Sequence, residues 1–163
     1  MAWLLGRAVL SFVVLPGTVA FLVPLALADF PASAAKFDWR SLSALVPGIA
    51  LLLACVREFY TAGRGTLGPW EPPSRLVTTG AYRLSRNPMY LAVVLVLWGW
   101  ALGFGSRPLV TYALAFMLVF HLRVVFVEEP WLARTHGEAW DRYKARVPRW
   151  LGPVRAGAAP ESA

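Results

Sequence analysis

Four long apolar runs restrict the folds open to this chain more than any other feature of its sequence. The run 88–106 contains no charged residue and approaches the ~20 positions that a helix needs to cross a bilayer. The other runs cover residues 8–28, 41–56 and 108–127. Backbone groups in lipid must all be hydrogen-bonded, which an apolar segment of this length achieves as a helix, so the runs predict an all-α, multi-span integral membrane protein with about four transmembrane helices.

The composition also indicates a membrane protein. Hydrophobic residues make up 58% of the chain and charged residues 15%, whereas a soluble domain carries about 25% charged residues. The formal net charge is +7, and the basic residues flank the apolar runs, so we expect anionic membrane lipids and no nucleic acid as partners. The single cysteine, Cys55, lies inside an apolar run, and the sequence holds no Cys/His cluster with zinc spacing, so no metal site is predicted.

The first run allows two interpretations. It could be a secretory signal, because Ala26-Leu27-Ala28 places small residues at the spacing of a cleavage site. We favour a retained transmembrane helix kinked at Pro16 and Pro24, since the apolar part is long for a signal and three further runs follow it.

Residues 80–90 join a Gly- and Pro-rich loop, 61–79, to the third run. Asn87 is a good helix cap, and Pro88 at the first helical position loses no hydrogen bond. A helix N-terminus beside arginines at a membrane surface can hold an anionic group of a ligand. A capped membrane helix with snorkelling arginines explains the same residues equally well. These arginines are Arg83 and Arg86.

The fourth run ends in a charged stretch. Ionisable residues inside a membrane helix are costly, so they are expected to face a partner or a polar cavity. Helical spacing places one stripe of side chains on a common face: Met117, His121, Val124 and Glu128. Arg123 should point away from this face, and Pro130 should kink or end the helix at Glu129.

The pattern of apolar and basic residues over 130–148 predicts a C-terminal amphipathic helix that lies in the bilayer surface. Trp140, Tyr143 and Val147 share one face, and the basic residues lie on the other side. A solvated basic helix is the alternative.

Basic residues concentrate in the second connection and in the C-terminal segment, while the first and third connections hold only Lys36, Arg40 and Arg107. Four spans with both termini cytoplasmic, in the cell inner membrane, satisfy this bias. The same topology places the Gly-rich loop, the Asn-Pro helix start and the acidic pair on one face of the membrane. We therefore expect one cytoplasmic active site built from two motifs that are distant in sequence.

Such a site offers N–H groups for an anion, arginines, two carboxylates and several aromatic rings. It suits a ligand that combines a carboxylate, an aromatic base, a ribose diol and a positive centre, as S-adenosylmethionine does. Methyl transfer mostly needs the acceptor and the methyl group held in line with water excluded. A small non-enzymatic membrane binding or transport protein would place charges at similar depths and is the alternative.

Four short motifs follow one another in the second half of the chain: Leu76-Val77-Thr78-Thr79-Gly80-Ala81-Tyr82, then Arg86-Asn87-Pro88-Met89-Tyr90, then Glu128-Glu129-Pro130-Trp131-Leu132, then Gly137 with Tyr143 and Val147-Pro148. In order and spacing they resemble the integral-membrane methyltransferases, which include isoprenylcysteine carboxyl methyltransferases and phospholipid N-methyltransferases. A preceding segment, Gly65-Thr66-Leu67-Gly68-Pro69, resembles the bacterial branch. Each piece alone is weak, but the ordered set is specific.

The resemblance implies an enzyme that uses S-adenosyl-L-methionine to methylate a lipid or a lipidated thiol, amine or carboxyl group. It also implies the cofactor-binding residues: Leu76, Val77, Tyr82, Asn87, Pro88, Met89, Tyr90, Glu128 and Glu129. Glu128 is the catalytic candidate, because its charge can hold the cationic cofactor and orient the methyl group toward the acceptor. His121, two turns deeper on the same stripe, is the candidate substrate residue, and a structural histidine bonded to another helix is the favoured alternative.

Two positions depart from the isoprenylcysteine pattern. Asn87 stands where those enzymes usually have His, and Val124 stands where they have an Arg that is implied to hold the substrate carboxylate. Arg123 is adjacent, but about 100° round an α-helix. The Asn-Pro-Met-Tyr and Glu-Glu-Pro motifs look closer to the phospholipid branch.

These predictions together describe a single membrane domain, 1–163. Residues 1–60 supply two N-terminal transmembrane helices, residues 61–150 carry the methyltransferase motifs, and residues 151–163 form a loose tail.

Overall fold

The computed structural model describes residues 13–30, 34–61 and 76–154, and every regular element among them is helical. The predicted all-α class is therefore confirmed for this part of the chain. The predicted loop 61–79 and tail 151–163 lie mostly outside the described residues, as does the start of the first apolar run.

The helices of the described part are named in chain order. The first three are α1, which is π-helical over Val13–Leu22 and α-helical over Val23–Leu27, then α2, Leu42–Thr61, and α3, Pro88–Phe104. The others are α4, Arg107–Arg123, then a π-helical segment, Val124–Glu128, then α5, Glu129–His136, and α6, Glu138–Arg146. Short 3₁₀ turns occupy Ala34–Lys36, Trp39–Ser41 and Gly80–Arg83.

In the described part of the chain, two helices are long and apolar enough to cross a membrane: Trp39–Phe59, with 21 residues, and Arg107–His136, with 30. Gly17–Leu27 and Pro88–Phe104 are apolar but shorter. Only 22% and 11% of the most apolar windows of the two long helices are buried, so most of their apolar surface faces outward. Such large exposed apolar surfaces are typical of membrane contact. The four-span arrangement stays a prediction.

Helices α2 and α3 approach each other closely because glycines line their interface. A Cβ atom on Gly99 would lie 2.5 Å from Leu45 Cγ, and one on Gly48 would lie 2.9 Å from Val96 Cγ2. Leu45 and Val96 are themselves buried. Small residues allow this close backbone approach between membrane helices. The pair forms the support on which the segment before α3 rests.

We expect Gly99→Val to destabilise the fold by about 1–3 kcal/mol, because the added carbons would overlap Leu45 and force α2 away from α3. Ala54→Val adds carbons of the same kind on an exposed position of α2 and is the control. Thermal unfolding in detergent measures both variants. Equal melting temperatures for the two would contradict the close packing of α2 on α3.

Pro130 was predicted to kink or to end the helix at Glu129, and of these two alternatives the end is wrong. Helix α4 continues through the π segment into α5 as one run, Arg107–His136. Pro130 lies in the first turn of α5, where it has no N–H to donate. In a π segment each N–H bonds five residues back instead of four, so the hydrogen-bond ladder shifts just before the proline. The shift accommodates a ring that would otherwise clash with the carbonyl four residues earlier.

The C-terminal segment forms two helices, where one was predicted over residues 130–148. Gly137, with a φ of 48°, separates α5 from α6. One face of α6 is aromatic, as predicted, but it is buried against the protein beside Leu76. Its members are Trp140, Tyr143 and Val147. This face is therefore occupied by protein contacts and does not lie free in a bilayer surface.

Candidate functional site

The 3₁₀ turn that begins at Gly80 is fixed between α2 and α6. Thr79 Oγ1 donates a hydrogen bond to Glu58 Oε2 on α2. Gly80 has a φ of 56°, and a Cβ atom there would lie 2.9 Å from the Glu58 carboxyl carbon, so glycine is required. The carbonyl oxygen of Tyr82 accepts a 2.7 Å hydrogen bond from the Tyr143 hydroxyl. Burial raises the pKa of both tyrosines, which keeps their hydroxyls protonated.

Helix α3 begins at Pro88, as predicted, but Asn87 does not cap it. Its φ of −130° and ψ of 50° differ from the extended geometry of a capping residue, and within the described residues its side chain makes no bond to the first turn. Asn87 Nδ2 instead donates to the carbonyl oxygen of Arg149, 3.0 Å away. The Asn87 side chain therefore ties the start of α3 to the C-terminal segment.

Glu128 and Tyr90 join the two distant motifs into one cluster. Tyr90, in the first turn of α3, donates its hydroxyl hydrogen to Glu128 Oε1. Arg123 Nε lies 2.9 Å from the same carboxylate oxygen and 3.1 Å from the Tyr90 hydroxyl oxygen. The Glu128 side chain is 28% exposed, so a ligand can reach the carboxylate.

The prediction that Arg123 points away from Glu128 is wrong, and the π segment is the reason. In an α-helix, residues five apart lie about 140° from each other around the axis. A π-helical turn bonds residues five apart, so it brings their side chains to the same side. Val124, placed on the Glu128 stripe by α-helical spacing, is instead buried in the protein with 1% of its surface exposed.

Glu129 is neutralised by two arginines. Arg149 donates from Nε at 2.7 Å and from Nη2 at 2.8 Å to its two carboxylate oxygens. Arg86 Nη1 lies 3.0 Å from Glu129 Oε1, and the Glu129 side chain is 15% exposed. The neighbouring carboxylates Glu128 and Glu129 therefore have different arginine partners, which offsets the repulsion between them.

Arg86 retains hydrogen-bond donors despite its burial. Its side chain is 9% exposed, and its guanidinium carbon lies 5.3 Å from the centre of a Trp140 ring. Within the described residues, Arg86 Nε and Nη1 make no hydrogen bond of good geometry, although Nη1 forms an ion pair with Glu129 Oε1 at 3.0 Å. Burial lowers the pKa of Arg86, whereas the hydrogen bond to Glu129 raises the pKa of Arg149. A buried guanidinium with unused N–H groups can bind an anion.

His121 lies on the exposed surface of α4 and contacts the C-terminal segment. Its Nδ1 accepts a 3.3 Å hydrogen bond from Trp150 Nε1, and the two rings stack with their centres 6.2 Å apart. The predicted structural alternative was a bond to another helix, and the bond found here goes to the segment after α6. A substrate role for His121 stays a prediction.

The other predicted cofactor residues occupy packing positions around this cluster. Val77 and Tyr82 are 7% and 6% exposed and pack with Cys55 of α2. Met89 packs against the same group, and Pro88 is buried at the start of α3. Leu76 contacts the aromatic face of α6. The structure therefore brings Tyr90 and Glu128 into direct contact, while the other predicted cofactor residues pack in the protein around them.

A cavity of about 390 Å³ opens on the other side of the turn, next to α6. Its lining includes Thr78, Arg83 and Arg146, and neither Glu128 nor Tyr90 belongs to it. The cavity is thus a separate groove beside the turn.

Sequence reasoning missed two residues of the site, Arg123 and Arg149. Arg149 directly follows the Val147-Pro148 motif, and this position was a signal that could have identified it. Arg123 had no comparable signal, because its placement depends on the π segment.

The described helices and the charged cluster indicate a helical membrane protein with a polar site where its motifs meet. A sequence model described as phospholipid methyltransferase matches residues 44–139, more than half of the chain, so this protein belongs to the phospholipid methyltransferase family. The match confirms the resemblance drawn from the motifs and places the chain among methyltransferases.

The chain is also similar to a bacterial protein. An uncharacterized protein of Haemophilus influenzae is 35% identical over 63 residues, which are 39% of this chain and 100% of that protein. No solved structure matches this chain.

Proposed function

We propose that this protein uses S-adenosyl-L-methionine to methylate a lipid or lipidated acceptor at the cytoplasmic face of the inner membrane. The contact between Tyr90 and Glu128 is the observation that carries the proposal. It joins the Asn-Pro helix start and the Glu-Glu motif, the two parts of the sequence that resemble the cofactor site of membrane methyltransferases.

The side chains of the site fit this cofactor. Glu128 can accept hydrogen bonds from ribose hydroxyls or an ammonium group, and the buried Nε–H of Arg86 has no hydrogen-bond partner among the described residues and can donate to a carboxylate. Tyr90 brings an aromatic ring, whose face favours a cationic sulfur. When bound, S-adenosylmethionine supplies the electrophilic methyl group.

The protein's own contribution is to bind, orient and exclude water. The Tyr90 hydroxyl and the Arg123 guanidinium hold the Glu128 carboxylate in one orientation before any ligand arrives. A charge that is fixed in advance stabilises a transition state without reorganisation. An acceptor that is already a thiolate or a carboxylate needs no base, whereas an amine or hydroxyl acceptor can pass its proton to Glu128.

A lipidic acceptor is favoured by the surface beside the cluster. Leu122, Phe126 and Val127 are 43%, 72% and 53% exposed, and they flank Arg123 and Glu128 on the same continuous helix. An acyl or prenyl chain can lie along this apolar surface while its polar end reaches the carboxylate. Anionic lipids complement the basic residues of the cytoplasmic segments.

The proposed topology has four spans with both termini cytoplasmic. It predicts that a reporter fused after Ala163 reads cytoplasmic and that one inserted near Ser33 reads external. Two reporters on the same side would contradict four spans with both termini cytoplasmic.

The cofactor is tested with detergent-purified protein and S-adenosylhomocysteine. We expect saturable binding measured by calorimetry. A folded protein with no saturable binding up to high micromolar ligand would favour the non-enzymatic binding or transport alternative.

A further inference from the structure

The segment that follows α6 lies across the charged cluster. Val147, the residue after α6, is extended with a φ of −106° and a ψ of 128°, because a residue before proline is disfavoured in helical geometry. The next residues, Pro148, Arg149 and Trp150, turn back along the protein. We call residues 148–150 the strap.

The strap is bonded to the segment before α3 through its backbone. The carbonyl oxygen of Pro148 accepts a 2.9 Å hydrogen bond from the backbone N–H of Arg86. The carbonyl oxygen of Arg149 accepts from Asn87 Nδ2 at 3.0 Å and from Ser85 Oγ at 3.3 Å. Two successive strap carbonyls thus accept hydrogen bonds from the three successive residues before α3.

The strap is bonded to the continuous helix through its side chains. Arg149 makes two parallel hydrogen bonds to Glu129, at 2.7 and 2.8 Å, and Trp150 donates to His121 at 3.3 Å. A paired Arg–carboxylate contact fixes orientation as well as distance. Only 36% of the Arg149 side chain is exposed, so solvent weakens this pair less than it weakens a surface ion pair.

We propose that Arg149 is a positioning residue for the proposed cofactor site, an inference that rests on the proposed function. Arg149 is the one strap residue that contacts both halves of the site, Asn87 through its carbonyl oxygen and Glu129 through its guanidinium group. It lies ten residues beyond residue 139, where the family match ends. Arg149 thereby sets the distance between the Asn-Pro helix start and the Glu-Glu motif, and small errors in such a distance weaken binding and catalysis strongly.

The test measures S-adenosylhomocysteine affinity and melting temperature for four detergent-purified proteins. Arg149→Ala keeps the backbone carbonyl and removes both bonds to Glu129, so we expect its Kd to rise about tenfold or more. Arg149→Lys keeps the charge but cannot form the two parallel hydrogen bonds, so its Kd should lie between those of the parent and Arg149→Ala. Arg142→Ala removes an exposed arginine that pairs with Glu138 on α6, and it should bind like the parent.

A double variant separates positioning from general stability. If Arg149 acts through Glu129, Arg149→Ala should raise the Kd much less in a Glu129→Gln background than in the parent. If the effects of the two substitutions on the free energy of S-adenosylhomocysteine binding are fully additive, the inference is overturned. An Arg149→Ala protein with parental affinity would also overturn it. If Arg149→Ala does not fold, Arg149→Lys decides, and parental affinity in that variant overturns the inference. A parent protein that binds no S-adenosylhomocysteine would instead contradict the proposed function itself.

Discussion

Glu128→Gln is expected to lower S-adenosylmethionine affinity or turnover by about tenfold or more, equivalent to about 1.4 kcal/mol. The substitution keeps the shape of the side chain and its ability to accept from Tyr90, but it removes the negative charge that faces the ligand. Arg123 would lose its ion pair, yet its side chain is 52% exposed and can turn to water. The variant should therefore stay folded, and isothermal titration with S-adenosylmethionine together with kcat/KM measures the loss.

Glu138→Gln is the matched control for Glu128→Gln. Glu138 begins α6, its side chain is 93% exposed, and its partner Arg142 is outside the cluster. This variant should bind and turn over like the parent. A folded Glu128→Gln protein with parental affinity and turnover would exclude Glu128 from the site.

Glu129→Gln should act mainly on stability, with an expected loss of about 3 kcal/mol in the free energy of unfolding. Glu129 is the shared partner of Arg86 and Arg149, and the Arg86 side chain is 9% exposed. Removal of the carboxylate charge would leave two neighbouring cations, one of them buried, with no anion between them. A lowered melting temperature in detergent measures the effect. Any loss of cofactor affinity in Glu129→Gln should be no larger than the loss in Glu128→Gln.

Asp141→Asn provides the control for Glu129→Gln. Asp141 pairs with Lys144 on the exposed side of α6, and its side chain is 67% exposed, so its charge should contribute less than about 1 kcal/mol. If Glu129→Gln and Asp141→Asn have the same melting temperature, then the Glu129 charge does not stabilise the fold by pairing with Arg86 and Arg149. The buried Arg86 charge must then be stabilised by another group.

Apolar runs and short motifs were enough to predict the class and the family. Uncharged stretches as long as 88–106 favour helices in lipid, and the start of α3 at Pro88 follows from the missing N–H of proline. Charges near apolar surfaces need partners, so the sequence predicted that the ionisable residues at the end of the fourth run face a partner or a polar cavity.

The details of the site could not be predicted, because they depend on long-range contacts and on one irregular turn. A regular α-helix is the natural assumption for residues 107–128, and it places Val124 on the Glu128 face and Arg123 away from it. The π segment reverses this arrangement. Likewise, asparagine is locally preferred as a helix cap, but the Asn87 side chain donates its hydrogen bond to the carbonyl oxygen of Arg149, 62 residues away in sequence.

The aromatic face of α6 illustrates the same limit. The spacing of its apolar residues predicted a helix with one apolar side, which is correct. The same spacing is expected whether that side contacts lipid or protein, so the sequence pattern does not distinguish the two. Trp140 is 2% exposed and Tyr143 is 4% exposed, because the turn before α3 covers them.

Transfer of a labelled methyl group is the most direct test of the central claim. Membranes from cells that express the parent chain or Glu128→Gln are incubated with methyl-labelled S-adenosylmethionine, and the lipid and lipidated-protein fractions are then extracted and counted. We predict label in an organic-soluble product with the parent chain and about tenfold less with Glu128→Gln. No label above that of membranes without the protein, from a parent chain that is folded and binds S-adenosylhomocysteine, would contradict methylation of a lipidic acceptor.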